Sequence, residues 1–282
     1  SELMRRAGDL AVHLKGLGVG VGDLVTVAVP NSIEWFVSYV AVWMLGGTPQ
    51  PVSSRLPQRE LDAIIELADP PVVIGADPGT VKGRHAIPVG FVAPRADASG
   101  LPDVISPAWK APTSGGSTGR PKLIVSGDPA VMDENAPLPL LMKKGGCLVM
   151  PGPLYHNGPA VWSWQALLNG LQVALMTRFD PEGTLAEIER HRGTVLYMVP
   201  TMMKRIWRLP EDVRGRHDLS SLEVVWHLAE PCPEWLKQVW IDWLGAERIF
   251  ELYAGTEAQT ATRSEEHTSE LQSHSDLVCR LL

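Results

Sequence analysis

Ser114-Gly115-Gly116-Ser117-Thr118-Gly119-Arg120-Pro121-Lys122 gathers glycines, hydroxyls and a lysine into one short run. Glycine lets backbone N–H groups turn inward with no Cβ in the way. The hydroxyls can donate to phosphate oxygens, and Lys122 adds a full positive charge. A polyphosphate cradle needs this combination. The competing reading is an ordinary flexible loop, since Gly/Ser-rich loops are common. The ordered hydroxyls followed by Pro-Lys favour the nucleotide site. A Walker loop is excluded, because Arg120 and Pro121 separate Gly119 from Lys122 and no helix opens on a Gly-Lys-Ser/Thr. A dinucleotide fingerprint is excluded too, since no Gly-x-Gly-x-x-Gly opens a helix here. Leu123-Ile124-Val125 follows and reads as a strand. The glycine run is therefore expected between strands, as a flap over a triphosphate.

On either side of this run, helical and strand patterns alternate. Amphipathic spacing predicts helices over 3–17, 58–68, 160–168, 184–191 and 234–243. Short apolar runs predict buried strands over 24–29, 72–74, 147–150, 173–176, 195–199 and 224–228. The apolar stretch 35–46 falls short of the roughly 20 residues of a membrane span and stops at Gly46-Gly47. It reads as a buried helix capped by Asn31. Apolar strands alternating with helices imply an α/β fold, with parallel-rich β-sheets flanked by helices. The Pro/Gly/Asp-rich stretch 93–107 reads as a linker between two halves.

With 282 residues, 45% of them hydrophobic, the chain can bury a large core. A net charge of −7 leaves no basic footprint for nucleic acid. Three cysteines are too few for a disulfide framework, and their spacing suggests no metal site. Cys147 and Cys232 read as packing thiols. No signal-peptide pattern opens the sequence, so a reducing, cytoplasmic setting is the expectation.

The spacing Ser/Thr-Gly-Gly-Ser-Thr-Gly-x-Pro-Lys resembles the phosphate loop of the adenylate-forming enzymes, the superfamily of acyl-CoA synthetases, adenylation domains and luciferases. The likeness extends to Leu17–Asp23 with Val25–Ser32, to Leu45–Val52, to Val199–Met202 and to Leu219–Leu222. It is strongest at Glu251-Leu252-Tyr253-Ala254-Gly255-Thr256-Glu257, which is similar to the family's Tyr-Gly-x-Thr-Glu motif. Two such motifs in the right order are far more specific than either alone. The resemblance implies the large N-terminal domain of an acid–CoA ligase, with ATP, Mg²⁺ and CoA as cofactors and a small carboxylic acid as substrate.

The resemblance further implies residue roles. Ser114, Gly115, Gly116, Ser117, Thr118, Gly119 and Lys122 would cover the β- and γ-phosphates. Tyr253, with Ala254 and Gly255, would stack on adenine. Thr256 would contact the α-phosphate and Glu257 would hold Mg²⁺, a hard cation suited by one or two carboxylates. Ala229, Glu230 and Pro231 take the place of the family's Gly-rich turn beside adenine, without its glycines. Likewise Tyr253-Ala254 replaces Tyr-Gly, where a methyl group narrows the backbone approach. In Pro153-Leu154-Tyr155-His156-Asn157-Gly158, His156 matches a residue near the acyl pocket, and no aspartate stands ready for a substrate ammonium. Trp162 and Trp164 follow on a helix and either line that pocket or pack the core. A bulky acid, such as a steroid or bile acid, is preferred over a simple fatty acid.

Residues 263–282 differ in kind: polar, aperiodic and unlike everything before them. Their sequence resembles the translation of a sequencing-library adapter, AGA TCG GAA GAG CAC ACG TCT GAA CTC CAG, then GAT CTC GTA TGC CGT CTT CTG. We therefore expect residues 1–262 to be a partial AMP-binding domain and 263–282 a non-native tail. The family's later Thr-Gly-Asp motif and its C-terminal-domain lysine are not found in this sequence. The expectation is a chain that binds ATP weakly at most and does not complete the reaction. Two other readings stay open: an acyl-AMP ligase or carrier-loading adenylation domain, and a non-catalytic nucleotide-binding module.

Overall fold

The computed structural model of the protein describes residues 1–115, 121–133, 136–254 and 260–264. Two compact units are formed, one from Ser1–Glu134 with Leu154–Asn157 and one from Asn135–Pro153 with Gly158–Leu282. The stretch 93–107, expected as the boundary, lies inside the first unit.

In the first unit the order is α1 (Glu2–Gly16), β1 (Leu24–Val27), α2 (Ile33–Trp43), β2 (Thr48–Pro51), α3 (Gln58–Ala68), β3 (Val72–Ile74), β4 (His85–Ile87), β5 (Thr113–Gly115) and β6 (Pro121–Leu123). Strands β2-β1-β3-β4 form one parallel sheet, while β5 and β6 make a separate antiparallel hairpin. The helix α2 is apolar nearly all round because it is buried nearly all round. Trp35 and Tyr39, fully buried, stack at 3.9 Å within it. Asn31 is not its cap. Ser32 holds that position, and the Asn31 side chain instead accepts from the Leu154 N–H at 2.8 Å. β2 escaped the sequence reading because Pro49 and Pro51 break its strand pattern. Prolines lack the N–H for a ladder, and β2 is accordingly an edge strand.

The second unit contains β7 (Cys147–Met150), α4 (Asn157–Leu168), β8 (Gln172–Leu175), α5 (Pro181–His191), β9 (Val195–Met198), α6 (Pro200–Trp207), α7 (Glu211–Arg214), β10 (Val224–Leu228), α8 (Glu234–Leu244), β11 (Ile249–Ala254) and β12 (Thr260–Ser264). Its six-stranded sheet has the order β12-β11-β10-β9-β7-β8, parallel except for the β11–β12 pair. β9 and β10 are buried at every position, as parallel strands covered on both faces should be. Leu185, Ile188, Leu196, Met203, Val225 and Trp240 meet in one core. Each such side chain contributes about 1.5–3 kcal/mol. The ladder of β12 runs through Arg263 and Ser264, two residues past the expected end of the natural sequence.

The expected strands 72–74, 147–150 and 224–228 and the helix 58–68 coincide with β3, β7, β10 and α3. α6, α7, β4, β11 and β12 had no counterpart in the sequence reading.

Candidate functional site

In the first unit the site is built around the phosphate hairpin. Ser114 lies opposite Lys122 and Gly115 opposite Pro121, so the glycine run joins two antiparallel strands as expected. The second strand starts at Pro121, earlier than the 123–125 reading. Gly116, Ser117, Thr118 and Gly119 lie outside the described residues; Lys122 is exposed. A buried polar relay anchors the first arm: Thr26 Oγ1 donates to Gln50 Oε1 at 2.7 Å, and Gln50 Nε2 donates to Thr113 Oγ1 at 2.8 Å. Fully buried, Gln50 has both amide ends satisfied, which ties the parallel sheet to the hairpin base.

His156 belongs to this unit. Its ring lies 4.4 Å from that of Tyr155, and it keeps an exposed edge while burial of the remainder pushes its pKa below the usual imidazole value. The next residue, Asn157, accepts a hydrogen bond from the buried ammonium of Lys110. Burial lowers the Lys110 pKa to about 8, against an opposing pull from Asp128. Sequence reasoning missed Lys110, Asn157 and Gln50, because only the burial of Lys110 and Gln50 and the Lys110–Asn157 hydrogen bond distinguish them.

In the second unit, Trp162 is 3% exposed and meets Tyr197 at 5.4 Å and Trp226 at 6.0 Å, both edge-on. Among the described residues its indole N–H has no partner. Glycine at the second position of α4 leaves room for the Tyr197 ring: a Cβ on Gly158 would fall 2.4 Å from its hydroxyl. Trp226 donates to the Leu140 carbonyl at 3.0 Å. Ala229, Glu230 and Pro231 form an exposed turn directly after β10. Ala229 has φ +72°, a conformation that glycine adopts without strain and alanine does not. The Glu230 carboxylate accepts from Thr201 N at 3.2 Å and from Thr201 Oγ1 at 2.7 Å. It thereby caps the first turn of α6, where Pro200 has no N–H to satisfy. Tyr253 is 79% exposed on β11, its ring free of core packing. Ala254 ends that strand, while Gly255, Thr256 and Glu257 lie outside the described residues. Among the described residues, no group of three or more His, Cys, Asp or Glu could hold a metal. Cys147 is buried in β7 with its thiol pKa pushed up by desolvation, as a packing thiol should be. Among the described residues no helix is long and apolar enough to cross a membrane.

The profile of the AMP-binding enzyme family matches residues 1–277. The chain belongs to this family. 4-Coumarate–CoA ligase 2 of Oryza sativa subsp. japonica is 31% identical over 275 residues, covering 81% of this chain and 47% of that protein. A feruloyl-CoA synthase of Amycolatopsis sp is 29% identical over 258 residues, covering 86% and 51%. The chain spans about half the length of the curated relatives it matches. Among solved structures, o-succinylbenzoate CoA synthetase (MenE) of Bacillus subtilis superposes with a TM-score of 0.80 at 19% identity, covering 96% of this chain and 57% of that one. ATP-bound MatB of Rhodopseudomonas palustris gives 0.74 at 24% identity, covering 94% and 56%. The fold of the AMP-binding family is therefore that of this chain.

Proposed function

We propose that this chain carries the nucleotide- and acid-binding part of an acid–CoA ligase. The observation that carries the reading is the family match over residues 1–277, joined to a glycine-rich hairpin whose two arms are described on either side of the phosphate run. In the reaction, the substrate carboxylate attacks the α-phosphate of ATP and pyrophosphate leaves; the CoA thiol, losing its proton, then attacks the acyl carbon of the adenylate and AMP leaves. The carboxylate is itself the nucleophile, so the protein's task is to hold two anions together and neutralise developing charge.

The roles follow the residues. Ser114–Gly119 and Lys122 take the β- and γ-phosphates; Tyr253 stacks on adenine beside the turn at Ala229–Pro231; Thr256 reaches the α-phosphate; Glu257 holds Mg²⁺. His156, whose burial disfavours the imidazolium, faces the acid as a hydrogen-bonding group, and Trp162 shapes the acyl end. The acid is an aryl or polycyclic carboxylate. Relatives named for coumarate and ferulate support the first class, while Trp162 and Trp164, both buried in the core, do not bear on the size of the acid.

We further propose that residues 263–282 do not belong to the natural reading frame, and that the 282-residue chain binds Mg–ATP without releasing pyrophosphate. Purified chain titrated with Mg–ATP, and assayed for pyrophosphate with 4-coumarate, ferulate and cholate, is expected to bind without turnover. Sustained turnover would refute the inactivity, and absent ATP binding would refute the nucleotide site. Resequencing the locus tests the tail: finding the adapter-like codons in genomic DNA would defeat that reading. The second reading is an acyl-AMP ligase or carrier-loading adenylation domain, and pyochelin synthase PchD of Pseudomonas aeruginosa, a relative not named for a CoA product, is 27% identical over 266 residues. Acyl transfer from the full-length frame to a carrier protein in preference to CoA would select it.

A further inference from the structure

Among the described residues, Lys110 is a buried cation with no paired anion. It is 8% exposed. Its ammonium donates to Asn157 Oδ1 and sits 4.0 Å from the centroid of the Trp109 ring, and neither partner carries a negative charge. Among the described residues, no carboxylate reaches it as an ion pair, and Asp128 acts only through space. His156, next to its partner, is disfavoured as a cation by its own burial and supplies no anion.

Hydrogen bonds tie down the backbone around Lys110. Trp109 N donates to Asp128 O at 3.1 Å, Ser126 N to Lys110 O at 3.0 Å, and Ala111 N to Pro49 O at 2.9 Å. Trp43 Nε1 adds a bond to Trp109 O at 2.9 Å. The ammonium is thus held in place three residues before β5, the first arm of the phosphate hairpin.

A buried ion costs several kcal/mol unless it is paired, and long lysine stems normally carry the head group out to water. Here the stem leads inward. The lysine also fixes the orientation of Asn157: an ammonium only donates, so Oδ1 must face it and the amide NH₂ is turned away. The pair offers one charged donor, the ammonium, and one neutral donor, the amide NH₂, both of them groups that donate to carboxylate oxygens.

We propose that Lys110 and Asn157 form an oxyanion anchor that receives the carboxylate of the acid to be activated. This rests on the acid-activating reading above and adds to it the group that holds the nucleophile. A single positive charge suits a monovalent carboxylate better than a polyphosphate, for which the glycine run and Lys122 are available. The bound anion replaces the missing counter-charge, so the lysine stays protonated and acid binding above pH 8 takes up a proton.

The test is calorimetric titration of the purified chain with 4-coumarate, ferulate, cholate, inorganic pyrophosphate and Mg–ATP. It compares the wild type with Lys110→Met and Asn157→Asp, after each variant is shown to melt cooperatively. Asn157→Asp supplies an internal anion and should compete the ligand away. For the tightest-binding acid, both variants are expected to weaken affinity at least about tenfold. Mg–ATP binding should persist in both, and in the wild type at pH 9 proton uptake should accompany acid binding. Unchanged acid affinity in Lys110→Met overturns the anchor while leaving the nucleotide site standing. Loss of pyrophosphate and Mg–ATP binding with acid binding intact reassigns the cation to phosphate and overturns it too. A wild type that binds neither acid nor Mg–ATP removes the activation reading, and the anchor with it.

Discussion

Each unit ends a central parallel strand in a turn with positive φ, and the two units use different residues for it. After β3 the residue is Gly75, at φ +97°; after β10 it is Ala229, at φ +72°. The difference is space. A Cβ on Gly75 would lie 2.3 Å from the Ala28 carbonyl oxygen, because Ala28 N donates to Ile74 O at 2.7 Å and holds the two backbones together. Ala229 is exposed and its methyl meets no such wall, so only conformational strain is charged to it. Glu230 then fastens the turn to α6 through Thr201. Glycine is obligatory where sterics forbid a side chain, and dispensable where a neighbouring hydrogen bond can hold a strained residue.

The contrast can be broken most sharply at Gly75. Gly75→Ala should cost about 3 kcal/mol or more, since overlap and a forbidden φ act together; urea unfolding reads this directly. A loss under about 1 kcal/mol would mean that the Ala28 backbone yields.

Charge sets the units apart as well, because the first buries Lys110 whereas the second leaves Glu230 at the surface. Lys110→Met should stabilise the chain at pH 7 by about 1–3 kcal/mol, since a buried unpaired ion is exchanged for a hydrophobe. The folded pKa of about 8 lies below the 10.5 of the free side chain. Between those values the unfolded chain binds more protons, so wild-type stability rises with pH across that window. The advantage of Lys110→Met should therefore shrink from pH 8 to pH 10.5 in parallel melts, and an advantage independent of pH would contradict the assignment.

Smaller effects belong to the second turn. Glu230→Ala should cost about 1 kcal/mol through loss of the helix cap, with Glu230→Gln intermediate, both read by thermal unfolding. Ala229→Gly should stabilise by about 0.5–1 kcal/mol, relief of the positive φ outweighing the added freedom of the unfolded chain. If Ala229→Gly destabilises, then the methyl packs and the turn is not strained.

Much of the fold was legible because its signals are local. The strands at 72–74, 147–150 and 224–228 declare themselves as short apolar runs, and α3 shows its buried stripe through Ile64, Ile65 and Ala68. The hairpin could be placed from the glycines and the strand beyond them. β2 could not, since a proline-rich sequence at a sheet edge looks like a loop until its neighbour is known. The cap of α2 was misread because the Asn31 side chain goes to Leu154, a residue far along the chain.

The sequence by itself determined the alternation of elements, the position of the phosphate run and the family. Those depend on periodicity and on residue order, which the chain carries within itself. Only the tertiary structure decided that Lys110 is buried against Asn157, that Gln50 links β1 to the hairpin, and that Glu230 caps α6. Desolvation and hydrogen bonding between distant segments create these features. They belong to pairs of residues that no window along the sequence contains.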